Sequence, residues 1–323
     1  MKRTIPPARG SSAFRYETWI LLLAEEKMGI SGSTSGQDTK TIWGVSMDHL
    51  YRAASLSLLF SLVLFQSVPQ AAPAAELWSH WLPSAQRASL QVDHSAWQNY
   101  LQQRVTKGGD GIARVDYRAT SVDEQRQIDD YLNRLQQTRV ASLTRAQQRA
   151  FWINLYNAGT VAVILQHFPV ASIRDIDISP GLFSDGPWGK KLFTIEGQKV
   201  SLDDIEHRIL RPIWRDNRIH YALNCASLGC PDLQSTAFTA DNTERLLNEA
   251  AKGFINHPRA VRIVDGALKV SSIYSWFESD FGNSERGVIR HLQQYAEPAL
   301  ASKLSGYDAI DDHGYDWSLN AVN

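Results

Sequence analysis

Cysteine is nearly absent from this chain: 323 residues carry two, Cys225 and Cys230. Two thiols exclude a disulfide framework and leave at most one bridge. Long apolar runs are missing as well. Trp19–Ala24 and Leu56–Phe65 are the most apolar stretches of the first quarter, and both fall well short of the ~20 residues that a spanning helix needs. Charge of one sign is lacking: 33 Lys+Arg stand against 34 Asp+Glu, a net charge of −1. With no basic block, nucleic acid is not an expected partner. Several common catalytic signatures are absent too, among them the P-loop, Gly-x-Gly-x-x-Gly, Gly-x-Ser-x-Gly and His-Glu-x-x-His. Asp175-Ile-Asp-Ile-Ser179 opens with the spacing of a calcium loop but lacks its Gly and closing Glu.

What is present begins with a targeting pattern. After Met47 come a basic Arg52, the apolar run Leu56–Phe65 and an Ala-x-Ala site at Ala72-Pro73-Ala74. That order is the order of a signal peptide. The expectation is translation from Met47, with 1–46 an upstream extension, 47–74 a signal peptide, 75–92 a lead-in and 93–320 a single domain in the periplasm or secreted. The mature part contains no second stretch that would span a membrane.

Periodicity and punctuation predict the elements. Asp93 to Gln103 reads as a helix with Trp97, Tyr100 and Leu101 on one face, and Gly108-Gly-Asp-Gly111 as a turn before a short strand from Ile112. Ser121 with Glu124 is a capping box, and Thr144-Arg-Ala-Gln147 caps a helix that is apolar nearly all round from Ala150 to Leu165. Hairpins are expected at 192–202, turned by Glu196-Gly197, and at 261–270, turned by Asp265-Gly266. Arg218 to Asn224 alternates like a strand. Asp241-Asn-Thr-Glu244 is expected to cap a helix, and single helices are expected over 272–281 and 286–304. The order of elements predicts an α+β fold, a single domain of several helices packed on short antiparallel strands and hairpins.

Candidate chemistry centres on Ile219–Leu233. Cys225 has His220 five residues upstream, the thiol and imidazole of a nucleophilic enzyme. On a strand, His220 and Asn224 would face one way and Cys225 the other, so the thiol reaches His220 only if the strand ends there. The alternative is a Cys225–Cys230 disulfide, sterically feasible at this spacing and suited to an oxidising compartment. Glu206 and His207 are adjacent and diverge by about 100° on a helix; with His220 and Cys225 they would make a metal set, but the spacing matches no zinc pattern. Asn154 and Asn157 share a face of the apolar helix, and two buried amides must either bond a neighbouring backbone or line a polar cleft. Ser272, Trp276 and Asp280 recur every four residues, with Asp280 able to orient a histidine.

Five ordered motifs resemble the domain-of-unknown-function family 547: Ala150–Ala158, Ser201–Arg211, Arg218–Ser227 with Cys230-Pro231, Ser272–Phe281 and Tyr315–Asn320. The resemblance runs from about Asp93 to Asn320. It implies a fold and a polar cleft but no settled activity. Two functions are carried forward. One is a thiol-dependent acyl hydrolase or transferase, with Cys225 as nucleophile, His220 or His207 as base, Glu206 or Asp280 as orienting acid and Asn157 as a donor. The other is a non-catalytic module that holds a small polar ligand or peptide beside a structural disulfide, with Asn154, Asn157, Trp276 and Asp280 lining the site. No cofactor or metal is expected.

Overall fold

Capping chemistry sets the starts of the two helices that organise the fold. A computed structural model describes residues 73–87, 90–181 and 186–322; the expected upstream extension, and the expected signal peptide through residue 72, lie outside them. Helix α1 (Ser95–Arg104) runs into the antiparallel pair β1 (Val105–Lys107) and β2 (Ala113–Val115). Ser121 caps α2 (Val122–Gln136) and Thr144 caps α3 (Arg145–His167), each with a complete capping box. In both, the hydroxyl accepts the third helical N–H and the Glu or Gln there returns to the cap's own N–H. Every residue of α3 from Gln148 to Ile164 is buried, as an all-round apolar helix requires. No helix among the described residues is long and apolar enough to cross a membrane.

The hairpin of β3 (Phe193–Ile195) and β4 (Gln198–Val200) turns where predicted, with positive φ at Glu196 and Gly197. Beyond it the chain winds as a π-helix over Asp204–Leu210 and tightens into α4 (Arg211–Trp214). A capping box with Asp in place of Glu precedes it: Asp204 N–H donates to Ser201 Oγ at 3.2 Å while Ser201 N–H donates to Asp204 Oδ2 at 2.9 Å.

The strand expected over Arg218–Asn224 is instead a 3-10 turn over Asn217–Tyr221. Asp216 causes it. Its carboxylate accepts the Arg218 N–H and both the Arg218 and Arg149 guanidiniums, which curls the chain back on itself. The face-alternation expected of His220 and Cys225 therefore does not apply. Helix α5 (Thr243–Ile255) follows, one residue beyond Asn242, whose side chain makes no cap hydrogen bond; the start is organised instead by Thr239, which exchanges hydrogen bonds with Asn242.

Strands β5 (Val261–Val264) and β6 (Ala267–Ser271) form the second predicted hairpin. The helix expected over 272–281 breaks at Phe277 into α6 (Ile273–Trp276) and a 3-10 turn, Glu278–Phe281. That expected over 286–304 is two, α7 (Glu285–Tyr295) and α8 (Pro298–Leu304). Pro298 has no N–H to continue a helix and holds Glu297 extended. Strand β7 (Asp312–Gly314) adds to β6 in parallel. The whole is a single α+β domain with small, mostly antiparallel sheets.

Two apolar cores meet along the segment that carries His220 and Cys225. Ile219, Ala222 and Leu223 pack into the core around α3, while Tyr221 packs into the one around α5, β6 and α7. The C-terminal tail then laces onto the loop after Cys225. Leu228 N–H donates to Ser318 O and Gly229 N–H to Asp316 O, both at 2.8 Å, and Asn320 N–H donates to Ala226 O at 3.1 Å.

Candidate functional site

Asn157 holds the approach to Cys225. Its Nδ2 donates to Ala222 O at 2.8 Å and its Oδ1 accepts Asn224 N–H at 2.9 Å. Asn224 continues the scaffold, donating to Pro231 O and accepting Ala226 N–H. Ala226 sits at φ 57°, a left-handed conformation that costs a non-glycine residue about 1–2 kcal/mol. Strain of this kind is concentrated at functional sites. Here it turns the chain sharply just past the thiol.

Both cysteines are free; Cys225 is half-buried and Cys230 buried. Cys225 Sγ lies 2.9 Å from the Tyr315 hydroxyl and 3.4 Å from Ser227 Oγ, and those two oxygens are 2.9 Å apart. Cys225 N–H donates to Cys230 Sγ at 3.0 Å. A hydrogen bond from the Cys230 thiol, opposed by burial and reinforced by Ser227 and Tyr315, lowers the pKa of Cys225 below that of an ordinary thiol. Burial pushes Cys230 and Tyr315 the other way, so both stay protonated donors. Tyr315 is braced by Trp276 and Trp317, whose rings lie 4.8 and 4.6 Å from its own.

The titratable residues singled out in the sequence assemble into a separate network. His220 is buried, with Nε2 at 2.8 Å from Asp280 Oδ2 and Nδ1 at 3.4 Å from Glu206 Oε1. Phe277 stacks on its ring at 4.0 Å. Arg211 grips Asp280 through Nε and Nη2, at 2.6 and 3.1 Å, and reaches His207 Nδ1 at 3.1 Å with Nη1. Against the burial penalty, hydrogen bonds donated to Asp280 and Glu206 raise the His220 pKa. His220 is therefore an imidazolium clamped between two carboxylates. Glu206 is likewise held at about 2 in spite of burial, by His207, His220 and Arg211, and Asp280 is depressed well below the usual carboxylate range. Burial lowers His207. Burial, with repulsion from Glu206 and Asp204, lifts Asp203 to about 6.

The structure thus brings Glu206, His207, His220 and Asp280 together. Hydroxyls and a second thiol, with no imidazole among them, make the hydrogen bonds to Cys225 Sγ. Asn157 spends both ends of its amide on backbone, and Asn154 does the same with Phe238 O and N–H, at 2.7 and 3.0 Å. Of the two fates open to these amides, backbone pairing is the one observed. Trp276 faces Tyr315 within the aromatic wall. Among the described residues no group of His, Cys, Asp and Glu is arranged to hold a metal ion.

Sequence reasoning did not single out Tyr315, Ser227, Arg211 or Asp203. Ser227, two residues past Cys225, was within reach of the sequence. Tyr315 opens one of the family-like motifs, but it lies 90 residues from the thiol it touches, and the motif gives it no role.

The fold and the site define an α+β domain with a strained, hydroxyl-flanked thiol beside a buried carboxylate–imidazolium network. Residues 140–255 match the family described as Protein of unknown function, DUF547, the family that the sequence motifs resemble. The match takes in α3, the π-helix, both cysteines and α5, and stops short of Asp280 and Tyr315. No curated protein and no solved structure matches the chain.

Proposed function

We propose that this is an exported domain whose Cys225 is the nucleophile of a thiol-dependent acyl hydrolase or transferase. The observation that carries the reading is the convergence of Tyr315 and Ser227 hydroxyls on a half-buried Cys225 sulfur. Hydrogen bonds to a thiolate stabilise the charged, nucleophilic form. Activation then comes from oxygen donors rather than from an imidazole base. In the first half-reaction the thiolate forms a bond to the acyl carbon, the bond to the leaving group breaks, and a proton reaches the leaving group from a neighbouring hydroxyl. Water or an acceptor nucleophile then attacks the acyl carbon, its proton returns to that hydroxyl, and sulfur leaves as the thiolate. His220 contributes by tying the turn before Cys225 to Asp280 of the 278–281 turn.

A rival reading is favoured by the 3.0 Å approach of Cys230 Sγ to the Cys225 backbone: a bridge between the pair would stiffen a ligand loop and consume the nucleophile.

Alkylation by iodoacetamide across a pH series separates the two. The expected result is one fast-reacting thiol, lost in Cys225→Ser, that titrates below an ordinary cysteine and shifts upward in Tyr315→Phe. Hydrolysis of a simple aryl thioester should vanish in the same Cys225→Ser variant. Two protected cysteines in protein isolated from an oxidising compartment, or a thiol pKa unmoved by Tyr315→Phe, would overturn the catalytic reading.

A further inference from the structure

Lined in part by Tyr315 is a cavity of about 340 Å³ that includes neither Cys225 nor Ser227. That is within the size range of small-ligand sites. Its lining carries four cations, Arg114, Arg259, Arg262 and Lys269, against two carboxylates, Asp110 and Asp316.

Three of the cations already have protein partners, with donor capacity to spare. Arg114 is held by Asp110 at 2.6 and 2.7 Å. Arg259 donates to Leu228 O at 2.9 Å and pairs with Asp232, but its Nε is buried with no hydrogen-bond partner. Lys269 Nζ lies 3.1 Å from Asp312. Arg262 has no ion pair among the described residues, and it is exposed.

The register of the hairpin makes this arrangement costly when empty. Arg262 stands directly across from Lys269 in the β5–β6 pair, and like charges in that position destabilise a sheet. An unpaired buried guanidinium N–H adds to the cost. An anion in the cavity offsets the repulsion between Arg262 and Lys269. Guanidinium forks match planar or tetrahedral oxyanions, which accept two parallel hydrogen bonds.

We infer that this cavity binds a small ligand carrying closely spaced oxyanions, the shared chemistry of a polycarboxylate and a phosphate ester. The Arg262–Lys269 pair forms its outer rim and Arg259 its floor. Binding here does not require chemistry at Cys225, so a failed titration leaves the thiol reading standing, and an unreactive Cys225 leaves this site standing.

The test is a calorimetric titration of the whole protein with citrate and, separately, with pyrophosphate, at ionic strength held constant with sodium chloride. Saturable one-to-one binding of at least one probe is expected, and which of the two binds tells carboxylate from phosphate. Arg262→Gln should weaken it about tenfold, equivalent to about 1.4 kcal/mol. Arg245→Gln, which removes the same charge from the exposed face of α5, should leave it unchanged; its thermal melt, compared with that of Arg262→Gln, checks that both variants fold. Absence of saturable binding by both probes would overturn the inference. So would binding that both variants weaken equally, the mark of non-specific charge attraction.

Discussion

Asn157 acts through its amide rather than through apolar contact. It joins a buried helix to the backbone on both sides of Leu223, and thereby sets where Cys225 begins its turn. Asn157→Ala strands a buried carbonyl and a buried N–H, each worth about 1–3 kcal/mol when left unpaired. A loss of about 2–4 kcal/mol is expected, seen as a fall in the urea midpoint at unchanged slope. A loss well under 1 kcal/mol would mean that water replaces the amide at no cost. The pair Asn154/Asn157 was legible in the sequence as two amides on a buried face. Which backbone they would hold was not, because their partners lie 84 and 65 residues away.

At the scale of elements, the decisive contact is between the 226–229 loop and the C-terminal tail. Gly229 admits the tail because it has no side chain: a Cβ there would stand 2.7 Å from Asp316 N and 3.0 Å from the Tyr315 ring. Backbone cannot yield to such an approach as a flexible side chain does. Gly229→Ala should therefore push Tyr315 off the sulfur while leaving α3 and the Glu206–His220–Asp280 network in place. The expected readout is a Cys225 alkylation profile displaced toward that of Tyr315→Phe; a profile identical to the parent would show that the tail does not hold the hydroxyl. Helix starts and hairpin turns were predictable because their determinants are adjacent residues, as at Thr144/Gln147 and Glu196-Gly197. The 217–221 turn was not. Alternating Ile219, Tyr221 and Leu223 mimic a strand, yet they serve two different cores, and Asp216 curls the chain between them.

For the molecule as a whole, buried ionisable groups dictate how stability responds to pH. His94 and His291 are pushed down to about 4 by burial, against an ordinary 6.5. The unfolded chain binds their protons first, so stability falls as pH drops from 6.5 to 4. Glu206, at about 2 against 4.5, extends the loss from pH 4.5 toward 2. Asp203 opposes them: its rise from 3.8 to about 6 makes it destabilising as pH increases through that window. His220 has a raised pKa, so its contribution is complete below 6.5 and disappears as pH climbs through its folded value. The expected melting temperature has its maximum near neutrality, with a marked acid limb. Glu206→Gln should flatten the limb between pH 4.5 and 2, and a melting temperature flat from pH 6.5 to 4 would refute the histidine contribution.

The amino-acid sequence alone determined the α+β class, the capped and buried α3, both hairpins with their turns, and the carboxylates and imidazoles, though not the arginine, of the polar network. These depend on neighbours within a few positions, where propensity, capping and periodicity act directly. Only the tertiary structure decided how the candidate residues divide. Glu206, His220 and Asp280 satisfy one another's charge in the interior, because a buried charge must find an opposite one. Cys225 is left to Tyr315 and Ser227, because the C-terminal tail closes over the one glycine that lets it pass.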